Sequence, residues 1–161
     1  MKKLFTDANV CQGCHLCEII CSLVHLKDEV NPRRARIRVH EDFINKVFMP
    51  VVCKQCTKAP CIDACPYDAI HQDPRLRVPI IDPAKCTVCM ACLEACPFGA
   101  IFYDEQEQLP LVCDLCGGDP KCIKFCPTHP TKTHAALGYT SPLEWSKIKA
   151  NFPYPSDKES T

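Results

Sequence analysis

The chain has 161 residues, with 19 basic and 19 acidic side chains, 15 prolines, five glycines and 16 cysteines. So much cysteine would suit a secreted disulfide scaffold, yet the N-terminus MKKLFTDANVCQGC has no apolar h-region and no twin arginine, and no stretch approaches the roughly 18 apolar residues of a membrane span. The cysteines fall in four groups of four, so the expectation is metal ligation or redox chemistry in a reducing, cytoplasmic setting.

The first group is Cys11, Cys14, Cys17 and Cys21, in NVCQGCHLCEIICS, with gaps of two, two and three residues. Glu18 to Val24 reads as a short helix. A turn follows at Asn31-Pro32. Ile37 and Val39 then alternate with Arg36 and Arg38, which predicts a strand with one wet face. The basic run Arg33, Arg34, Arg36 and Arg38 is expected to be solvated and to offset charge elsewhere, or else to dock an acidic partner. Lys46 to Val52 forms a second run able to pair with this strand.

The second group is Cys53, Cys56, Cys61 and Cys65, in CKQCTKAPCIDACPYDAI, where the middle gap has grown to four residues and Pro66 follows the last cysteine. The segment AIHQDPRLRVPIID predicts a β-hairpin about Asp73-Pro74. The third group is Cys86, Cys89, Cys92 and Cys96, in KCTVCMACLEACPFGAI, with gaps of two, two and three and a closing Cys-Pro. CPYDAI and CPFGAI are an internal repeat offset by 31 residues. Each repeat is a loop, a helical turn and a strand, too small to fold alone, so the pair is expected as one module.

Strands are expected at Ala100 to Tyr103 and Leu109 to Val112, about the charged turn DEQEQ. The fourth group is Cys113, Cys116, Cys122 and Cys126, in CDLCGGDPKCIKFCP, with a middle gap of five. From Thr128 the segment THPTKTHAALGY reads as irregular. Ser141, Pro142 and Glu144 then spell a capping box for a helix. Its modest apolar face joins Leu143 to Ile148 or to the Trp145 side, and Trp145 is expected to cover either this chain's core or a partner. The final PYPSDKEST is expected to be disordered.

Cys-x2-Cys-x2-Cys wraps three thiols around one face of a cube, and Cys-x3-Cys-Pro supplies a fourth. That is the bacterial run for a [4Fe–4S] cluster, and in two-cluster ferredoxins the fourth cysteine ligates the other cluster. Iron in such a cube needs four soft, deprotonated ligands, which thiolate provides. Zinc is the competing metal at the second and fourth groups, whose gaps are expanded, but zinc sites do not call for a third cysteine three residues on. Sixteen thiolates around four cluster cores would bring the formally neutral chain to roughly −8. His15 is expected to be partly exposed, with a hydrogen bond to sulfur as the alternative. Lys54, Lys58 and Lys85 read as local charge. There is no Gly-rich phosphate loop, no nucleophile with a paired base and no nucleotide fingerprint, so no catalytic residue is expected.

Four such groups in this order, from Asn9 to about Pro130, resemble the four-cluster ferredoxin-like electron-transfer subunits that accompany molybdenum and tungsten pterin oxidoreductases. Relatives of those subunits serve hydrogenases and carbon monoxide dehydrogenases. The plain CPYDAI–CPFGAI core and short tail look most like the small subunits of tungsten aldehyde oxidoreductases. The resemblance implies a loop-rich α+β fold of two nested dicluster modules: an inner one at 51–105, an outer one at 1–50 plus 106–135, and a tail with a short helix at 136–161. It also implies four ligand sets. These are Cys11, Cys14, Cys17 and Cys126; Cys113, Cys116, Cys122 and Cys21; Cys53, Cys56, Cys61 and Cys96; and Cys86, Cys89, Cys92 and Cys65. The expected partner is a large catalytic pterin subunit, with a flavin subunit or soluble ferredoxin at the other end and self-association as a further possibility. Neither nucleic acid nor membrane is expected as a partner. A free, diffusing polyferredoxin is the rival reading.

Overall fold

Residues 2–130 and 134–150 are described by the computed structural model. Their fold is α+β, built from short pieces between cysteine loops. The order is β1 (Lys3–Thr6), α1 (Leu16–Leu26), β2 (Ile37–Asp42), β3 (Val47–Val52), α2 (Pro60–Asp63), β4 (Ile70–Gln72), β5 (Pro79–Ile81), α3 (Ala91–Ala95), β6 (Ile101–Asp104), β7 (Leu109–Val112), α4 (Lys121–Phe125), β8 (Leu137–Thr140) and α5 (Pro142–Ala150). The strands pair antiparallel in four two-stranded sheets: β2 with β3, β4 with β5, β6 with β7, and β1 with β8.

Three sheets are local hairpins that the sequence anticipates. In β2, Ile37 and Val39 are buried, and Ile37 sits opposite Val52. The Asn31 side chain accepts a hydrogen bond from the Arg33 N–H, which caps a short 3₁₀ turn at Pro32–Arg34 and sets the entry to this strand. The fourth sheet was not legible. THPTKTHAALGY is not wholly irregular, because β8 lies in it and pairs with β1, Leu4 opposite Tyr139. Two strands 130 residues apart give no local pairing signal.

The helix α5 begins as its capping box dictates. Ser141 Oγ accepts from the Glu144 N–H at 3.2 Å, and Glu144 Oε2 accepts from the Ser141 N–H at 3.1 Å. Trp145 covers its own chain: it is buried, and its ring stacks on Phe5 with centroids 5.5 Å apart. Gly138 lies under the same ring, where a Cβ would meet it at 2.4 Å. Leu143 is exposed, so the apolar face of α5 rests on Trp145. PYPSDKEST, expected to be disordered, lies outside the described residues.

The core is a thin layer of aliphatic side chains threaded with thiols. Leu4, Ile37, Val52, Val78, Leu115 and Leu137 pack with the buried cysteines in one continuous cluster. Polar clamps hold this layer together. Gln55, fully buried, accepts from the Leu4 N–H at 2.9 Å and donates to the Cys53 carbonyl at 2.6 Å, which ties β1 to the second cysteine loop.

Of the basic run only Arg33 is exposed; Arg34, Arg36 and Arg38 turn to partners within the chain. Arg34 Nε donates to the buried Asp104 at 2.8 Å, and Arg34 also reaches Glu107. Arg36 pairs with Asp114 at 2.5 Å, and the Arg38 guanidinium lies 4.5 Å from the centre of the Phe102 ring. These arginines cross-link distant segments, because the carboxylates and ring that meet them come from chain 64 to 78 residues away.

Candidate metal centres

None of the 16 cysteines is in a disulfide, and they line four cavities. Cavity I, about 350 Å³, is lined by Cys11, Cys14, Cys17 and Cys126. Cavity II, about 300 Å³, is lined by Cys21, Cys113, Cys116 and Cys122. Cavity III, about 390 Å³, has Cys53, Cys56, Cys61 and Cys96. Cavity IV, about 310 Å³, has Cys65, Cys86, Cys89 and Cys92. In each, three thiols come from one run and the fourth from the end of another.

Helix geometry accounts for that exchange. The last two cysteines of every run are four residues apart, one helical turn along the same face. In α1, Cys17 lines cavity I and Cys21 lines cavity II. The short helices α2, α3 and α4 repeat the arrangement with Cys61 and Cys65, Cys92 and Cys96, and Cys122 and Cys126. Each short helix therefore bridges two neighbouring cavities. Packing of α1 on α4 and of α2 on α3 completes the two pairs.

The four loops share one backbone device. The residue before the second cysteine has a left-handed φ in every run: Gly13 at 64°, Gln55 at 47°, Val88 at 59° and Leu115 at 56°. Such a conformation is unfavourable for a side chain, most of all for β-branched Val88. Its appearance in four separate loops is explained by the shape they make, a turn that wraps three thiols around one face of a compact group. Only the first loop uses glycine, and a Cβ there would lie 2.5 Å from the Phe48 ring.

Backbone N–H groups also reach the fourth sulfurs. Cys65 Sγ accepts from the Ala69 N–H at 3.3 Å and Cys96 Sγ from the Ala100 N–H at 3.4 Å. Cys21 Sγ accepts from the Arg36 N–H at 3.2 Å. Cys126 receives the N–H groups of Leu137 and Ala136 in β8 and its approach. Such bonds favour a charged sulfur.

Several of the buried thiols are poor acids in this setting. Burial, with smaller contributions from neighbouring thiolates, pushes Cys53 and Cys92 up to about 11 and Cys122 to about 12. Cys17 and Cys113 are also pushed well up, again by burial first. Four thiols crowded into one cavity, at least one of them buried in each of cavities I to IV, are relieved when a soft metal core takes the place of their protons. The donor set and the loop shape both fit an iron–sulfur cube.

Neighbouring cavities adjoin, I to II, II to III and III to IV. Cys17 of cavity I feels the charge of Cys122 of cavity II, Cys113 of cavity II feels Cys53 of cavity III, and Cys92 of cavity IV feels Cys61 of cavity III. The two exposed cysteines, Cys14 and Cys89, belong to cavities I and IV, the first and last of that series.

Among the flanking residues, His15 does not reach sulfur. Its ring nitrogens lie 2.7 Å from Glu18 and 2.6 Å from Glu41, and the Glu18 hydrogen bond, followed by the weaker one to Glu41, holds its pKa above the usual value. The histidine beside a sulfur is His25, with Nδ1 3.8 Å from Cys21 Sγ and Nε2 3.2 Å from Asp114. Its position four residues after Cys21 on one helix was the available signal. Asp114 first, then Cys21, raises His25 to about 10. Lys54 lines cavity III, whereas Lys58 and Lys85 are exposed.

Comparison with known proteins agrees with this chemistry. A 4Fe-4S dicluster domain matches residues 44–135, and a 4Fe-4S binding domain matches residues 8–24. The chain is 40% identical, over 72% of its own length and 66% of the relative's, to the polyferredoxin-like subunit of aliphatic sulfonate oxidoreductase from Pyrococcus furiosus. It is 31% identical to the beta subunit of NADH-dependent phenylglyoxylate dehydrogenase from Aromatoleum evansii, over 89% of this chain but 33% of that one. Among solved structures, a chain of the active site complex BamBC of benzoyl coenzyme A reductase matches with a TM-score of 0.51 and 29% identity, over 87% of this chain and 76% of that chain. With thiol cavities, loop geometry and family match in agreement, this is a protein of multiple [4Fe–4S] clusters, and the chain belongs to the 4Fe-4S dicluster domain family.

Proposed function

We propose that the chain is the electron-transfer subunit of a larger oxidoreductase and holds four [4Fe–4S] clusters, one per cavity, with the four lining cysteines of each cavity as its ligands. The observation that carries this reading is the series of four adjoining thiol cavities, the first and last of which hold the two exposed cysteines. When bound, such a cluster takes up and releases one electron, with a potential set by hydrogen bonds, charge and burial. The chain's own part is to hold the centres in line, shield the thiols of cavities II and III from water, and leave one sulfur of each terminal centre near the surface. No residue acts as a catalyst.

In this reading 51–105 forms an inner module and 1–50 with 106–135 an outer one nested around it. The names of its relatives, subunits of a sulfonate oxidoreductase and of a phenylglyoxylate dehydrogenase, support a place beside a catalytic subunit. We assign that subunit to the tungsten or molybdenum pterin class, and the complex to the cytoplasm. No helix of the described residues is long and apolar enough to cross a membrane. Anaerobic native purification tests the assignment. A stable, stoichiometric complex with a metal-containing pterin subunit is expected, whereas a monomer with no tight partner would make the chain a free polyferredoxin.

A further inference from the structure

The four cavities differ in the charge that lines them. Cavity I has His15, clamped between Glu18 and Glu41. Cavity II has His25 and Arg36, both paired with Asp114, which also lines it. Cavity IV has no charged residue in its lining. Cavity III has Lys54 and Arg77, and no carboxylate. Neither of those two cations is ion-paired among the described residues. The Lys54 ammonium donates to the neutral Thr6 hydroxyl at 2.8 Å, and the Arg77 guanidinium to the Thr57 carbonyl at 3.4 Å.

Arg77 is placed with care. It sits in the turn between β4 and β5 with a left-handed φ of 57°. The Gln72 amide donates to the Cys56 carbonyl at 3.2 Å and to the Arg77 carbonyl at 3.3 Å, so one side chain ties this turn to the cysteine loop below it. The guanidinium does not lose its proton in the accessible range, so its charge is fixed. Two of the thiols beside it, Cys53 and Cys61, are buried, where a neighbouring charge is weakly screened.

We infer that Arg77 and Lys54 make the centre in cavity III the most easily reduced of the four, so that an electron entering the row comes to rest there. Adding an electron adds one negative charge, and uncompensated cations beside the cluster favour that state. Cavity III has a neighbouring centre on each side. The row then works as a relay with a holding place inside it. This is useful where one-electron carriers must wait to serve a partner that reacts by electron pairs. The inference rests on the reading that each cavity holds a cluster.

Anaerobic holo-protein, titrated with dithionite and followed by electron paramagnetic resonance, tests it. Cys56→Ser marks the cavity III signal by changing its line shape, and that signal is expected to appear first in the wild type. In Arg77→Gln and Lys54→Met the reduced-to-oxidised ratio of this centre at a fixed applied potential should fall roughly tenfold for each cation lost. The other three signals should hold their places. Arg77→Lys and Lys54→Arg, which keep the charge, should restore the order, an outcome that a purely structural role would not give. Full iron content with unmoved potentials, or a marked signal that is not the first to be reduced, overturns the inference alone. A protein that takes up no cluster in cavity III overturns it together with the reading beneath it.

Discussion

Cys65 and Cys96 each close a short helix and are followed by proline, whereas Cys21 lies inside α1 and is followed by Ser22. In the first case the proline stops the helix, and the chain folds back at once. The N–H four residues on, from Ala69 or Ala100, returns to the sulfur. In the second, the helix runs on to Leu26, and the sulfur's N–H donor comes from Arg36, 15 residues later. Ser22 makes that detour stable. It is fully buried; its hydroxyl donates to the Ile19 carbonyl at 2.9 Å and accepts from the Asn31 N–H at 3.2 Å. The same sulfur requirement is met locally in one half and by tertiary packing in the other. The half that depends on packing should therefore be the easier to disrupt.

The comparison breaks most directly at Ser22. Ser22→Pro would impose on the first run the local solution of the others, but inside an established helix. Proline there removes a helical hydrogen bond and clashes with the preceding turn, at a cost of about 3 kcal/mol or more. Cys21 and the Arg36 N–H would lose register. The expected outcome, read by iron content and thermal melting under argon, is loss of the centres in cavities I and II while those in III and IV persist. Loss of all four at once would show that the halves do not fail separately.

A smaller effect is expected at the pair between Arg34 and Asp104. Asp104 is buried and receives Arg34 along with the N–H groups of Gln106 and Glu107. Burial alone would raise its pKa, but the Arg34 hydrogen bond and the two N–H groups outweigh it and hold the carboxyl below its usual value. Arg34→Ala leaves that carboxylate without its cation and its charged hydrogen bond, and should cost about 1.5–3 kcal/mol at neutral pH. The sign of the pH dependence follows from the lowered folded pKa. The Asp104 contribution is complete above the ordinary aspartate value near ~3.9 and is lost as pH falls through the lower folded value. The melting difference between wild type and Asp104→Asn should accordingly shrink in acid; a difference that grows in acid would reverse the assignment.

The smallest effect compares two glycines. Gly13 in the first loop and Gly99 after Cys96 both have left-handed φ, 64° and 56°, but a Cβ at Gly13 strikes the Phe48 ring and one at Gly99 meets open space. Gly99→Ala should cost about 1 kcal/mol from backbone strain alone. Gly13→Ala should cost more, and should also loosen the centre in cavity I, seen as faster bleaching on exposure to air. Equal costs would mean that Phe48 moves aside freely.

How much of this was written locally in the chain follows the same division. The cysteine runs, three hairpins and the capping box at Ser141 could be read directly, because each is set by residues within a few positions of one another. The β1–β8 sheet, the Arg34–Asp104 pair and the Arg36 N–H to Cys21 could not. Each depends on segments brought together only by the fold. The length of α1 lay between these cases: the absence of proline after Cys21 was visible, but its consequence, a helix to Leu26 and a histidine set beside sulfur, needed the structure. Lys54 could be read only as local charge, because nothing in its neighbours reveals that Arg77 would join it over a cavity free of carboxylates.

The central claim, four cubes in a row, is tested most directly by counting. Anaerobically prepared protein should contain about 16 irons and about 16 acid-labile sulfides per chain, as four [4Fe–4S] clusters require. About eight irons with stoichiometric zinc would contradict the account and leave two of the four cavities as structural metal sites.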